Sequence, residues 1–166
     1  MYDIYMEICS LICKNPNQIK SKYLKRFEKS FDKRGYCLSD IIDYLIELNV
    51  LKVTKVINGE YEFDVLQINL KEFLKFFEFK FQEDIYILIL DYILKNPNKS
   101  KNTYIKNIEK EYKGFTKEVI TNAIDYLLYD CAIYYKKLSY KGNSYTGIGT
   151  DLERITDFCS YFYKKK

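Results

Sequence analysis

Hydrophobic positions along the chain recur first at helical and then at strand spacing, and the whole succession occurs twice. Ile4, Ile8, Leu11 and Ile12 lie three or four residues apart, which predicts a helix with Asp3 as its N-cap and Pro16 as its stop. A second helix is predicted through Tyr23, Leu24, Phe27 and Phe31, closed by Gly35. A third carries Leu38, Ile41, Ile42, Leu45 and Leu48. The period then shortens: Val53, Val56 and Ile57 precede Asn58-Gly59, and Tyr61, Phe63 and Val65 follow it. Asn-Gly between β-rich flanks predicts a tight hairpin. Asn69 is expected to cap a fourth helix whose apolar stripe is Leu70, Phe73, Leu74 and Phe77, with Phe76 and Phe79 off it.

The second half repeats this order. Asp84-Ile85-Tyr86 echoes Asp3-Ile4-Tyr5, and Lys95-Asn96-Pro97-Asn98 echoes Lys14-Asn15-Pro16-Asn17, at an offset of 81 residues. Tyr23 and Tyr104, Lys25 and Lys106, and Glu28 and Glu109 keep the register. One inserted residue then makes the offset 82, so that Ile42-Asp43-Tyr44-Leu45 matches Ile124-Asp125-Tyr126-Leu127. A second helix is expected through Tyr104, Ile105 and Ile108, closed by Gly114. A third follows through Ile120, Ala123, Ile124, Leu127 and Leu128, with Thr116 as N-cap. The hairpin is Ile133 to Tyr140, a Lys141-Gly142-Asn143 turn, then Ser144 to Ile148; Asp151 caps the last helix. A period this long means two copies of a domain, residues 1–82 and 83–166. No Gly or Pro stands between Gly59 and Pro97. The fourth helix therefore either runs into Ile85–Leu94 or breaks at Gln82-Glu83-Asp84, and the recurrence of the Asp3 cap at Asp84 favours the break. The expected fold class is mainly α with small β-hairpins, an α+β chain.

Helix, helix, helix, hairpin, helix in each half resembles the winged helix-turn-helix superfamily. The resemblance covers nearly the whole chain and rests on element order and length, not on a signature motif. It implies tandem winged-helix domains in which the third helix enters the DNA major groove and the hairpin wing touches the backbone or minor groove. The same fold also serves protein–protein contacts, so it does not choose between the two roles.

Composition narrows the chemistry. The 166 residues are 48% hydrophobic and 30% charged, enough apolar material for a packed core. There is no histidine. That excludes a Ser-His-Asp or Cys-His nucleophile, a His general base and a His-ligated metal. Cys9, Cys13, Cys37, Cys131 and Cys159 make an odd count without C-x-x-C spacing, and read as small buried or half-buried thiols in a reducing compartment. No apolar run is long enough for a membrane span, and Met1-Tyr2-Asp3 lacks the basic start of a signal peptide. A soluble cytoplasmic protein, without cofactor, metal or catalytic residue, is expected. Gly147-Ile148-Gly149-Thr150-Asp151 lacks the third glycine of a dinucleotide loop and reads as the exit of the second hairpin. Lysine mixed with tyrosine suits stacking of single-stranded bases, but helical burial accounts for most of these rings.

The net charge of +4 hides local polarity. Segment 14–34 holds eight basic residues, among them Lys20, Lys22 and Arg26, against Glu28 and Asp32. Segment 95–117 holds seven, including Lys99, Lys101, Lys106 and Lys117, against Glu109 and Glu111. In a winged helix this region approaches phosphates. The third helix of the first half instead carries Asp40, Asp43 and Glu47 on one stripe, and its hairpin carries Glu60, Glu62 and Asp64. That copy is expected to bind a partner. The second copy offers Lys117, Thr121 and Asn122 at the start of its third helix and Lys136, Lys137 and Lys141 on its wing. Asn122 is placed nearest a base, since Asn can read adenine. Two functions follow: a DNA-binding transcription regulator or replication/partition accessory on double-stranded DNA, or a tandem winged-helix protein–protein adaptor. Phe76 and Phe79, with the aromatic surplus of the terminal helices, point to a neighbouring domain or a second subunit, and a homodimer is expected.

Overall fold

The computed structural model describes residues 2–164. Among them the chain forms eight helices and two antiparallel two-stranded hairpins, an α+β architecture. It divides into two compact units, Met1–Glu78 and Phe79–Lys166, just ahead of the 82/83 boundary drawn from the sequence.

In the first unit, α1 (Tyr2–Lys14), α2 (Lys20–Asp32) and α3 (Leu38–Glu47) precede β1 (Leu51–Asn58), β2 (Tyr61–Ile68) and the short α4 (Leu70–Phe76). Their buried faces are the periodic positions: Ile4, Ile8 and Ile12; Tyr23 and Phe31; Leu38, Ile42 and Leu45; Leu70, Phe73 and Leu74. The hairpin pairs Leu51 with Ile68 at its base and Asn58 with Tyr61 at its tip. Its base is core and its tip is solvated. The chain between α1 and α2 joins this sheet: Ile19 bridges Val65, and Leu66 N–H donates to the Gln18 carbonyl at 2.9 Å.

The second unit repeats the scheme with α5 (Ile85–Lys95), α6 (Lys101–Glu111), α7 (Lys117–Tyr129), β3 (Tyr134–Tyr140), β4 (Asn143–Gly149) and α8 (Leu152–Phe162). Ile148 N–H donates to the Lys99 carbonyl at 2.9 Å, the counterpart of Leu66 and Gln18. Tyr23 O–H donates to the Asn15 carbonyl and Tyr104 O–H to the Asn96 carbonyl, so each Lys-Asn-Pro-Asn turn is tied to the helix after it. Asn17 and Asn98 take φ of 55° and 65° within those turns, the left-handed region that Asn tolerates better than most residues. The motif thus recurs because it builds a particular turn, not merely because it stops a helix.

Several expectations need correction. Asp3 lies inside the first turn of α1, not at its cap, where its charge still suits the helix dipole. Asn69 occupies the N-cap of α4 without a side-chain bond, whereas Asp84, Thr116 and Asp151 accept from backbone N–H groups of their helices. The first turn is Gly59-Glu60, with Gly59 at φ 65°; Asn58 stays in the ladder opposite Tyr61. Gly at the first central position suits a type II′ turn. The second turn is Lys141-Gly142 at φ 50° and 79°, and Asn143 already belongs to β4. The fourth helix neither continues into α5 nor reaches Gln82: it ends at Phe76, and Glu78 turns the chain at φ 60°. Leu48 caps α3 and is exposed. Cys37 and Cys131 are exposed thiols, and all five cysteines are unbridged.

Candidate nucleic-acid interface

The basic residues singled out in the second unit sit on four successive pieces: the loop before α6, α6 itself, the start of α7 and the β3–β4 hairpin. Lys99, Lys106, Lys117, Asn122, Lys137 and Lys141 are exposed there. Lys136 is half-buried, and its stem runs close to Gly149. Lys141 holds its ammonium 5.3 Å from the centre of the Tyr140 ring. In the first unit Lys22 and Arg26 are exposed on α2.

Four of the expected contacts are already engaged. Lys20 pairs with Asp43 at 2.7 Å, and Lys101 pairs with Asp125. These are the same positions of the repeat, so in each unit a lysine at the start of the second helix clamps an aspartate on the third. The bond to Asp125 holds the Lys101 ammonium above its ordinary pKa. An aspartate on each third helix, whose charge would repel a phosphate, is therefore partly neutralised from within the fold. Arg26 donates to the Asn15 side-chain oxygen at 2.7 Å, and Thr121 donates to the Lys117 carbonyl at 2.7 Å. The Thr121 proton is thereby unavailable to a base edge.

The residues assigned to partner binding divide as well. Asp40 and Glu47 are exposed on α3 beside the clamped Asp43. Phe76 is half-buried within its own unit, 5.7 Å from Tyr2 and 5.6 Å from Tyr5 between ring centres. Phe79 is half-buried in the segment after α4. Phe76 thus spends much of its apolar surface on α1.

One concave feature gathers residues that sequence reasoning mostly passed over. A cleft of about 570 Å³ opens between the β3–β4 hairpin and the start of α6. One wall is Asn98, Lys99, Ser100 and Thr103; the other is Tyr140, Asn143 and Tyr145. Tyr145 O–H donates to the Asn98 carbonyl at 2.7 Å and pins the hairpin to the loop. Ser100 caps α6 through Thr103 N–H, and its hydroxyl lies 2.9 Å from that of Thr103. Gly147 makes the approach feasible: a Cβ there would meet the Leu138 side chain and stand 3.3 Å from the Lys99 carbonyl. Lys99 lines this cleft, whereas Lys117 and Asn122 do not. The missed residues left one signal in the sequence. Tyr140 and Tyr145 stand in strand-period segments, where helical burial could not have absorbed their rings.

Among the described residues no helix is long and apolar enough to cross a membrane. No family model, curated protein or solved structure matches the chain.

Proposed function

We propose that the chain is a non-enzymatic DNA-binding protein built from two winged-helix domains, a transcription regulator or an accessory of replication or partition. The winged-helix reading is supported by the order helix, helix, helix, hairpin, helix in both units. It is supported further by the strand-like segment between the first two helices, which bonds to the hairpin through Gln18 and Lys99. The observation that carries DNA binding is the run of exposed lysines in the second unit, Lys99, Lys106, Lys117, Lys137 and Lys141, without ion pairs among the described residues. Such groups are available to phosphates and release counterions on binding. The acidic face of the first unit suits pairing with the basic face of a second copy.

A salt titration of binding to generic duplex DNA tests this reading. Affinity should fall steeply with salt, and Lys117→Glu with Lys137→Glu and Lys141→Glu should abolish binding. Unchanged affinity in that variant would reject the assignment of the second unit. A second reading, a protein–protein adaptor, is favoured by the first unit, where Asp40 and Glu47 are exposed beside a wing that presents Ile57, Tyr61 and Phe63 to solvent. It predicts no duplex binding even at low salt.

A further inference from the structure

The wing of the second unit carries more exposed aromatic surface than duplex backbone contact requires. Tyr135 is 56% exposed, Tyr140 65% and Tyr145 36%, and lysines 136, 137 and 141 stand among them. Tyr134, by contrast, is covered by the Arg154 guanidinium at 4.4 Å from its ring centre. Phosphates are met by cations and by N–H or O–H donors, which a tyrosine hydroxyl can supply but its ring face does not. Flat apolar rings alternating with cations are instead the surface on which unpaired bases stack while the backbone runs along the charges.

Cross-strand register separates the tyrosines. Tyr145 lies opposite Leu138, and Tyr140 opposite Asn143; Tyr140 and Tyr145 share the wing face that closes over Asn98 and Lys99. Tyr135 pairs with Ile148 in the adjacent register and points to the other face. The cleft therefore offers two rings on one wall and Lys99 on the other, with the Asn143 side chain at the same wall as the rings. The cleft is open to solvent, and its volume of about 570 Å³ leaves room for one nucleotide to lie across it. The first unit diverges at the same positions: Asn143 and Tyr145 correspond to Tyr61 and Phe63, and Lys99 to Gln18. The cation is lost there.

We propose that this cleft holds an unpaired nucleotide of single-stranded DNA, so that the second unit prefers a duplex carrying a single-stranded tail over a blunt duplex. Tyr140 and Tyr145 supply the stacking surface, Lys99 the phosphate contact and Asn143 a polar contact to the base edge. The inference rests on the DNA-binding reading and names the form of DNA that reading takes.

Fluorescence anisotropy with the full chain tests it, comparing a blunt duplex with the same duplex extended by an oligothymidine tail. The tail should raise affinity on the order of tenfold for one stacked base. Tyr140→Ala should remove that gain, so that the variant binds tailed and blunt duplexes alike, while Tyr140→Phe should keep it. Tyr129→Ala, which removes an 86% exposed tyrosine outside the cleft, should also keep it. Equal affinity for blunt and tailed duplexes, or equal losses in Tyr140→Ala and Tyr129→Ala, would overturn the inference and leave the duplex reading standing. Absence of binding to either DNA at low salt would overturn both.

Discussion

Tyr23 and Tyr104 show how much one repeated side chain does. Each is fully enclosed in its unit, and each hydroxyl closes the turn between the first two helices. Tyr104 also accepts from the Lys99 N–H at 3.2 Å, so its loss leaves both a donor and an acceptor unmatched at the foot of the cleft. Tyr104→Phe should cost about 1–3 kcal/mol in urea unfolding, the cost of leaving buried polar groups unsatisfied. Burial pushes both phenols up to about 12 from an ordinary 10.0. A folded-state pKa raised above the unfolded one gives stability that is complete below pH 10 and is lost as the pH rises through about 12. Alkaline unfolding followed by tyrosinate absorbance should therefore fall in that window, and Tyr23→Phe with Tyr104→Phe should flatten it. The Lys20–Asp43 pair acts at the same scale but is exposed. A double-mutant cycle should give only about 0.2–1 kcal/mol of coupling.

At the scale of elements, helix starts differ in how firmly they are held. The Asp84 side chain accepts from Tyr86 and Ile87 N–H at 3.1 and 3.2 Å, and Tyr163 O–H donates to the same carboxylate at 2.8 Å. One residue thus caps α5 and anchors the end of α8. Burial and the Asp84 carboxylate both push the Tyr163 phenol upward, so it remains a proton donor throughout the neutral range. Asp84→Ala should cost at least the ~1 kcal/mol of a lost cap in thermal unfolding. Asn69→Ala, where no side-chain cap bond exists, should cost clearly less. The β3–β4 hairpin offers a sharper case. Gly147→Ala would push a methyl group into Leu138 and toward the Lys99 carbonyl. It should weaken the attachment of β4 to the loop and open the cleft, which faster amide exchange at Ile148 would report.

For the whole molecule, the two units share a plan but not a surface. The first presents carboxylates on its third helix and hairpin at Asp40, Glu47, Glu60, Glu62 and Asp64; the second has the uncharged Asn122, Tyr129, Gly142, Ser144 and Thr146 at the corresponding sites. Asp43 is a poor probe of that contrast, because replacing it also releases Lys20. Asp40→Lys with Glu47→Lys leaves the clamp intact. If α3 faces a partner copy, this variant should dissociate the dimer in light scattering. If α3 faces DNA, it should raise affinity and steepen the salt dependence by about 0.9 in log–log slope per added phosphate contact.

Much of this fold was legible from the sequence because its main signals are local. Apolar spacing marks the helix faces, proline and glycine mark their ends, and an internal repeat at 81 and then 82 residues lets each half check the other. The identities of the lysine-rich segments and the acidic stripe were equally plain. What the sequence could not express is which charges are already spent. Lys20 and Asp43 are 23 residues apart, and only the packing of α2 on α3 turns a supposed phosphate contact and a supposed repellent into one ion pair. The cleft is likewise a tertiary product. Asn98 and Tyr145 lie 47 positions apart and meet because β4 folds back onto the loop before α6. Sequence determined the elements and their duplication through short-range periodicity. Tertiary structure decided which polar groups remain available, because availability depends on partners that only long-range packing supplies.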